Sequence, residues 1–246
     1  MLAATVVLEK SMRIIARFEK GEAVRFVSHL DIQRTFQRAF RRANVPLAYS
    51  QGFNPHPQLS FATALSLGYT SEAEWFDIKL AEDMGPEAFR AAVNATLPSG
   101  FRILEALAAE DGLPALTALM AAAEYEIRFF PEDAVSIKAL ETAFGKLASG
   151  PIFVEKRTKS GMKTVDIRPM MLRYNFSRSA DGCLVLALFG VADAKGSLNI
   201  DLLLGALADV CPCTFSYRVH RKAIYSAHGS VMPALPQSIS EFKRPE

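Results

Sequence analysis

Hydrophobic positions along the chain alternate in short runs and, between those runs, recur at helical spacing. The run "MRIIARFEK" alternates as a strand does, and "SHLDIQRTFQRAFRRANVP" then places its apolar residues on one helical face. Ser28 is the predicted N-cap of that helix, with Asp31 three residues later in the capping-box position. Two further strands, "QLSFATALSLGY" and "EAEWFDIKL", a short helix and a closing strand follow. The first half therefore predicts the order strand, helix, strand, strand, helix, strand.

The second half of the chain repeats this order. The strand "AAEYEIRFF" precedes a helix that begins after Pro131 and ends at Gly150. A hairpin with Gly161 at its tip, an apolar strand, a helix capped by Asn199 and a last strand follow. We therefore expect an α+β protein of two tandem ferredoxin-like (βαββαβ) units with antiparallel sheets, and a single mixed α/β domain is the alternative. The expected boundaries are 12–108 for the first unit, 109–117 for a linker, 118–226 for the second unit and 227–246 for a C-terminal tail.

Charge is distributed unevenly along the chain. Residues 71–141 contain fourteen acidic and five basic residues, a balance of −9, so the remainder carries +11 because the net charge is +2. Two basic clusters, at 20–42 and 156–178, indicate a surface for an anionic partner, with an ordinary solvated surface as the alternative. No apolar run reaches the ~20 residues of a membrane span, so no membrane partner is expected.

The three cysteines, Cys183, Cys211 and Cys213, form no disulfide framework, which is typical of a cytoplasmic protein. The "CPC" motif lacks a matching second pair, so no metal or cofactor is predicted. No phosphate-binding loop and no serine or cysteine nucleophile with a nearby base stands out.

The run "FVSHLDIQRTFQRAFRRANVPLAYSQGFNPHPQLSFATALSLGYTSEAEWFDIKL" closely resembles the hallmark of the radical-SAM-associated bacterial domain of unknown function. That family has a similar Phe-x-Ser-His-Leu-Asp run, paired arginines and Ser-Gln-Gly-Phe-Asn-Pro-His-Pro. The likeness is dense over residues 13–80 and continues more weakly through "VDIRPMM". The resemblance implies a partner, a radical-SAM protein with a cobalamin-binding region, and it implies no catalytic residue. This chain has no CxxxCxxC motif, the pattern that holds a radical-SAM iron–sulfur cluster, so it cannot carry that cluster alone.

A fainter, architectural likeness is to tandem ferredoxin-like RNA enzymes, namely the tRNA pseudouridine synthases and the CRISPR repeat-processing endoribonucleases. The run "KRTKSGMKTVDI" is similar to the Arg-Thr-Asp-x-Gly motif of the pseudouridine synthases. Lys159 stands where that motif needs its catalytic aspartate, and a lysine cannot replace that carboxylate. Pseudouridylation is therefore not expected.

Three sets of side chains are candidate RNA contacts. On the first helix, at about 100° per residue, one exposed face carries arginines suited to phosphate oxygens: Arg34, Arg38 and Arg41, with Arg42 at its edge. The following loop offers flat rings and amides that suit an unpaired base: Tyr49, Gln51, Phe53, Asn54 and His56. The second-half hairpin adds a basic edge: Lys156, Arg157, Lys159 and Lys163. The alternatives are arginines paired with carboxylates, a rigid turn that caps its own backbone, and a charged edge that prevents sheet aggregation.

His29, Asp31 and His56 are the candidates for acid–base chemistry, and the catalytic residues stay unknown. The leading hypothesis is an RNA-binding module, for tRNA or another structured RNA, that acts with a radical-SAM modifying enzyme in trans. One alternative is a metal-independent endoribonuclease that uses His29 or His56 as general base or acid. The other is a protein adaptor that docks the radical-SAM partner.

Overall fold

The computed structural model describes residues 12–109, 112–131, 134–158, 161–227 and 231–234. The chain forms two compact units that divide between Ala118 and Leu119. The dividing point lies just beyond the predicted linker 109–117. Residues 110 and 111 of that linker and most of the predicted tail lie outside the described residues. None of the helices described is long and apolar enough to cross a membrane.

The first unit is a four-stranded sheet with helices packed on it. In chain order its elements are β1 (Met12–Lys20), α1 (His29–Arg42), β2 (Leu59–Phe61), β3 (Thr70–Leu80), α2 (Pro86–Asn94) and β4 (Phe101–Ala108). The short helix α3 (Leu116–Leu119) follows at the unit boundary. The strand order is β4-β1-β3-β2, and every neighbouring pair is antiparallel.

The core of this unit follows from the two-residue period of its strands and the 3.6-residue period of its helices. Alternate residues of β1 and β3 face the helices, and the apolar stripe of α1 covers them. Phe18, Phe36 and Phe76 meet at the centre, with ring centroids 4.7 to 5.9 Å apart. The exposed face of α1 is thereby fixed as the side opposite this core.

The second unit has a similar sheet and an additional hairpin. Its elements are β5 (Met120–Pro131), α4 (Ala134–Ala148), β6 (Phe153–Thr158), β7 (Gly161–Asp166), β8 (Met171–Arg178), β9 (Leu184–Asp193), β10 (Gly196–Ser197), α5 (Ile200–Val210) and β11 (Phe215–Ser226). Its main strand order is β11-β5-β9-β8, all antiparallel, and β10 pairs with the end of β9. Strands β6 and β7 form a separate two-stranded sheet.

The prediction of an α+β protein with mostly antiparallel sheet is confirmed, with five α-helices in the described ranges. Two details differ from the sequence prediction. Strand β2 ends at Phe61, because the chain bends after Ala62 and then turns at Gly68, whose φ is +83°. Strand β8 was not predicted as a separate strand, and a short 3-10 turn (Arg168–Met170) separates it from the hairpin.

Candidate functional site

Helix α1 begins at a capped first turn and presents the predicted arginine face to solvent. Ser28 Oγ accepts a hydrogen bond from the Asp31 backbone N–H at 3.2 Å, and the same hydroxyl donates to Asp31 Oδ2 at 2.7 Å. The predicted capping arrangement is present. The apolar residues of α1 are buried and its arginines are exposed: Arg34, Arg38, Arg41 and Arg42.

These four arginines are not equivalent. Arg34 Nη1 lies 3.0 Å from Asp31 Oδ1. The hydrogen bond from Ser28 lowers the pKa of the Asp31 carboxyl most, followed by the contact with Arg34, and the charge of Arg38 adds a smaller effect. Arg42 Nη2 donates to the Thr96 carbonyl oxygen at 2.7 Å. Arg38 and Arg41 form no hydrogen bond or ion pair with any described residue. The alternative of carboxylate pairing therefore applies to Arg34, whereas Arg38 and Arg41 are free to bind an anion.

The ion pair of Arg34 is an exposed one. The side chains of Arg34 and Asp31 keep 64% and 55% of their accessible surface. Water screens charges at such a site, so the pair contributes little to stability. A phosphate could replace Asp31 as the partner of Arg34 at small cost.

The loop after α1 is a short two-stranded arm, which we call the β-arm (residues 48–58). Tyr49 bridges Pro57, Ser50 N–H donates to the His56 carbonyl at 2.9 Å, and Gln58 N–H donates to the Ala48 carbonyl at 2.9 Å. Lys79 N–H of β3 donates to the Gln58 carbonyl at 3.0 Å and so fixes the base of the arm to the sheet. The β-arm is therefore held by backbone hydrogen bonds along its length.

The tip of the β-arm combines a constrained backbone with exposed side chains. Gly52 has φ +125°, a conformation that side-chain-bearing residues rarely adopt. Gln51, Phe53 and Asn54 are exposed, and Phe53 is wholly so. Tyr49 is partly exposed at the side of the arm. The exposed ring of Phe53 therefore has an open face that is available for stacking.

His56 has a structural role in the β-arm. Its Nδ1 lies 2.9 Å from Ser50 Oγ, and its backbone N–H donates to the same hydroxyl at 3.2 Å. These contacts match the alternative in which polar side chains of the loop cap its own backbone. The rest of the imidazole is exposed, so a contact with a ligand is still open to it.

His29 lies in a different environment, at the start of α1. It is half-buried against the edge of Phe61, with ring centroids 5.5 Å apart, and its Nε2 lies 3.1 Å from Gln33 Nε2. Because an amide nitrogen only donates, this contact makes His29 Nε2 the acceptor. Burial lowers the pKa of His29, and the nearby Glu74 carboxylate opposes that effect. Among the described contacts no hydrogen bond or ring contact joins His29 to His56, so the predicted acid–base pair is not assembled by direct contact.

Sequence reasoning missed two charged residues beside His29. Lys20, at the end of β1, is fully buried, and its Nζ donates to the Arg25 carbonyl at 2.7 Å. Glu74, on β3, is also buried. Burial lowers the pKa of Lys20, and the attraction of Glu74 opposes that effect. The alternation of β1 could have indicated the burial of Lys20, because every second residue of a strand faces the same side and Ala16 and Phe18 face the core.

The β6–β7 hairpin places like charges opposite one another. Lys156 and Lys163 are direct cross-strand partners, and Arg157 is opposite Met162. Lys159 lies outside the described residues. The carboxylate of Glu155 accepts a hydrogen bond from Thr164 rather than neutralising a lysine. Lys156, Arg157 and Lys163 have no ion pair or hydrogen-bonded side-chain partner in the described part of the chain, so an anion would relieve their repulsion.

Within the described residues there is no group of three or more His, Cys, Asp or Glu side chains placed to hold a metal ion.

Together these features define an α+β protein with exposed, unpaired cations and an exposed aromatic ring on a constrained arm. The chain belongs to a family of uncharacterized proteins conserved in bacteria (DUF2344), whose profile matches residues 13–199. This assignment confirms the predicted membership of a bacterial family of unknown function, and the radical-SAM association stays a prediction.

No curated protein matches the chain. Among solved structures, a chain in the crystal structure of a Cbf5-Nop10-Gar1 complex is similar over 86% of this chain and 48% of that one, at 9% identity and a TM-score of 0.48. The protein thus spans about half the length of that relative. A putative glycine cleavage system transcriptional repressor matches over 86% of this chain and 99% of its own, at 9% identity and a TM-score of 0.22. Neither similarity is high enough to inform the site.

Proposed function

We propose that this protein binds RNA, tRNA or another structured RNA with an unpaired nucleotide, and that it serves a radical-SAM modifying enzyme in trans. The observation that carries the RNA proposal is that the first unit contains both kinds of group that RNA needs. Arg38 and Arg41 on α1 have no partner among the described residues, and Phe53 on the β-arm is wholly exposed. The radical-SAM partner is supported by the sequence resemblance alone.

Phosphate contacts would come from α1. Arg38 and Arg41 lie on the exposed face of the helix, and each guanidinium can donate two parallel hydrogen bonds to one phosphate. Arg34 would join them after exchanging Asp31 for a phosphate. Contacts of this kind supply affinity and orientation but do not read sequence.

Base contacts would come from the β-arm. The ring of Phe53 offers a face for stacking, and the amides of Gln51 and Asn54 can donate to and accept from a base edge. Stacking requires an unpaired base, which is why loops, bulges or ends of a structured RNA are the expected targets.

The same proposal includes the β6–β7 hairpin of the second unit as a separate phosphate contact through Lys156, Arg157 and Lys163. We also interpret each unit as ferredoxin-like. The strand orders β4-β1-β3-β2 and β11-β5-β9-β8 are those expected of a βαββαβ unit, with β6 and β7 inserted in the second.

The test is RNA binding by two variants, measured by fluorescence anisotropy with a labelled bacterial tRNA pool. Arg38→Ala/Arg41→Ala should weaken binding about tenfold for all sequences, because two phosphate contacts are lost. Phe53→Ala should also weaken binding, by about 1 to 3 kcal/mol, and only for RNA with unpaired bases. Arg90→Ala is the control, because Arg90 is a half-buried arginine on α2 that pairs with Glu87.

Unchanged affinity in the double arginine variant would overturn the RNA proposal. The partner is tested separately, by co-purification with the radical-SAM protein after nuclease treatment. Loss of the complex on nuclease treatment would show that RNA bridges the two proteins.

A second candidate function is metal-independent RNA cleavage with His29 as the general base. The observation that favours it is the half-buried imidazole of His29, whose Nε2 acts as a hydrogen-bond acceptor towards Gln33 and whose lowered pKa favours the neutral form. Labelled RNA should then be cleaved in EDTA by the wild-type protein and not by His29→Asn. Intact RNA after incubation with the wild-type protein would exclude this function.

A further inference from the structure

The "CPC" motif at the end of α5 brings two thiols into contact. Cys211 ends the helix and its backbone N–H donates to the Leu207 carbonyl at 2.9 Å. The chain then bends at Pro212 and Cys213, and the two Sγ atoms lie 3.2 Å apart. Both cysteines are half-buried, so a small reagent can reach them. The proposed RNA surface does not use this motif.

A groove of about 490 Å³ in the second unit borders the "CPC" motif at Pro212. Val210 and Pro212 form one side of it, and α4 forms the other side with Lys138 and Lys146. Alanine side chains of α4 line it between the two lysines. No described carboxylate forms an ion pair with Lys138 or Lys146, so the groove has an uncompensated positive charge.

We propose that Cys211 and Cys213 form a redox-active dithiol, which an anionic low-molecular-mass disulfide of the glutathione type oxidises to an intramolecular disulfide. The lysines of the groove would attract the carboxylates of the reagent. The positive charge beside the thiols thus selects for an anionic reactant.

The reaction is thiol–disulfide exchange in two steps. One thiolate attacks a sulfur of the reagent, forms a mixed disulfide and releases the first glutathione as a thiolate. The second cysteine thiolate then attacks the protein sulfur of the mixed disulfide, which closes the ring and releases the second glutathione. Two electrons pass from the cysteine pair to the reagent, and the two thiol protons end on the released thiols or in solvent.

The geometry favours ring closure and also makes it reversible. The sulfurs must approach from 3.2 Å to about 2.05 Å, the length of a disulfide bond. The ring encloses a single residue, Pro212, and strained or exposed disulfides are reduced more easily than structural ones. Closure also removes the proton with which Cys213 Sγ donates to the Ser136 carbonyl of α4 at 3.5 Å.

The first test is oxidation of the full-length protein by oxidised glutathione, followed by alkylation and intact-mass measurement. The Cys211–Cys213 pair of the wild-type protein should lose two alkylation sites and two hydrogen atoms and retain no glutathione. Cys211→Ser and Cys213→Ser should each retain one glutathione instead, because the second step is blocked. Cys183→Ser is the matched control, since Cys183 is the third half-buried cysteine, and it should behave as the wild type does. Three alkylatable thiols in the treated wild type, or a glutathione adduct retained by the Cys183→Ser variant, would overturn the proposal.

The second test concerns the groove. Lys138→Ala/Lys146→Ala should slow oxidation by glutathione disulfide several-fold and leave oxidation by neutral hydroxyethyl disulfide unchanged. Lys195→Ala, an exposed lysine between β9 and β10, is the control and should slow neither reaction. Equal rates for the double variant and the wild type with both reagents would refute the role of the groove.

Discussion

At the scale of single residues, the buried charges of the first unit are the least expected feature. Lys20 and Glu74 occupy core-facing positions of β1 and β3, where the neighbouring side chains are apolar. Burial of a charge is costly unless hydrogen bonds and an opposite charge compensate it. Lys20 has both, the Arg25 carbonyl as acceptor and Glu74 as a nearby anion. The pair thereby fixes the turn that leads into α1.

Removing one member of this pair should be more harmful than removing both. Lys20→Met is expected to lower the free energy of unfolding by about 3 kcal/mol, because Glu74 then stays buried without its cation. Lys20→Met/Glu74→Gln should recover part of that loss, since the uncompensated charge is gone. Urea denaturation measures both, with Lys79→Met as the control, because Lys79 is exposed on the same strand as Glu74. A single variant as stable as the wild type would show that the charges do not interact.

At the scale of elements, local patterns predicted what depends on local interactions. Ser28 and Asn199 were predicted as N-caps and both accept the expected backbone hydrogen bond, at 3.2 and 3.1 Å. Strand β8 was not predicted, although Leu172, Tyr174 and Phe176 alternate there with polar residues, because it follows the β6–β7 hairpin after only a short 3-10 turn. Its signal was present in the sequence.

The pairing of individual arginines could not be predicted in the same way. Arg34 binds Asp31 one turn earlier, which helical spacing makes possible but does not require. Arg42 binds the carbonyl of Thr96, a residue 54 positions away in sequence. Helical spacing alone predicts one uniform arginine face, whereas the tertiary structure divides it into partnered and unpartnered members. Strand alternation places Lys20 on the core-facing side of β1, but its complete burial depends on tertiary contacts.

The β6–β7 hairpin gives a prediction at this scale in which stability and binding change in opposite directions. Lys163→Glu converts the facing Lys156–Lys163 pair into an attractive one and should raise the free energy of unfolding by about 0.5 kcal/mol. The same change should weaken RNA binding, because one cation is lost and one anion is gained. Urea denaturation and fluorescence anisotropy measure the two effects. A variant with unchanged affinity for RNA would remove the hairpin from the proposed surface.

At the scale of the whole molecule, the charge is clustered rather than large. The net charge is only +2, so a general attraction to polyanions is weak, and binding must depend on local groups of cations. The described structure leaves five of the candidate cations without a partner: Arg38, Arg41, Lys156, Arg157 and Lys163. Arg34 and Arg42 already have partners, so they should contribute less. The number of phosphates bound is therefore a quantity that salt titration can test.

Each phosphate that a cation neutralises on single-stranded RNA changes the slope of log Kobs against log salt by about −0.7. If all five cations bind, the slope should be about −3.5, and Arg38→Ala/Arg41→Ala should reduce its magnitude by about 1.4. Arg90→Ala should leave the slope unchanged, because Arg90 pairs with Glu87 and lies outside both clusters. Anisotropy titrations between low and physiological salt give the slopes directly. A wild-type slope near zero would mean that phosphate contacts do not carry the affinity. An equal decrease in the Arg90 variant would mean that the affinity comes from diffuse charge and not from the unpartnered arginines of α1.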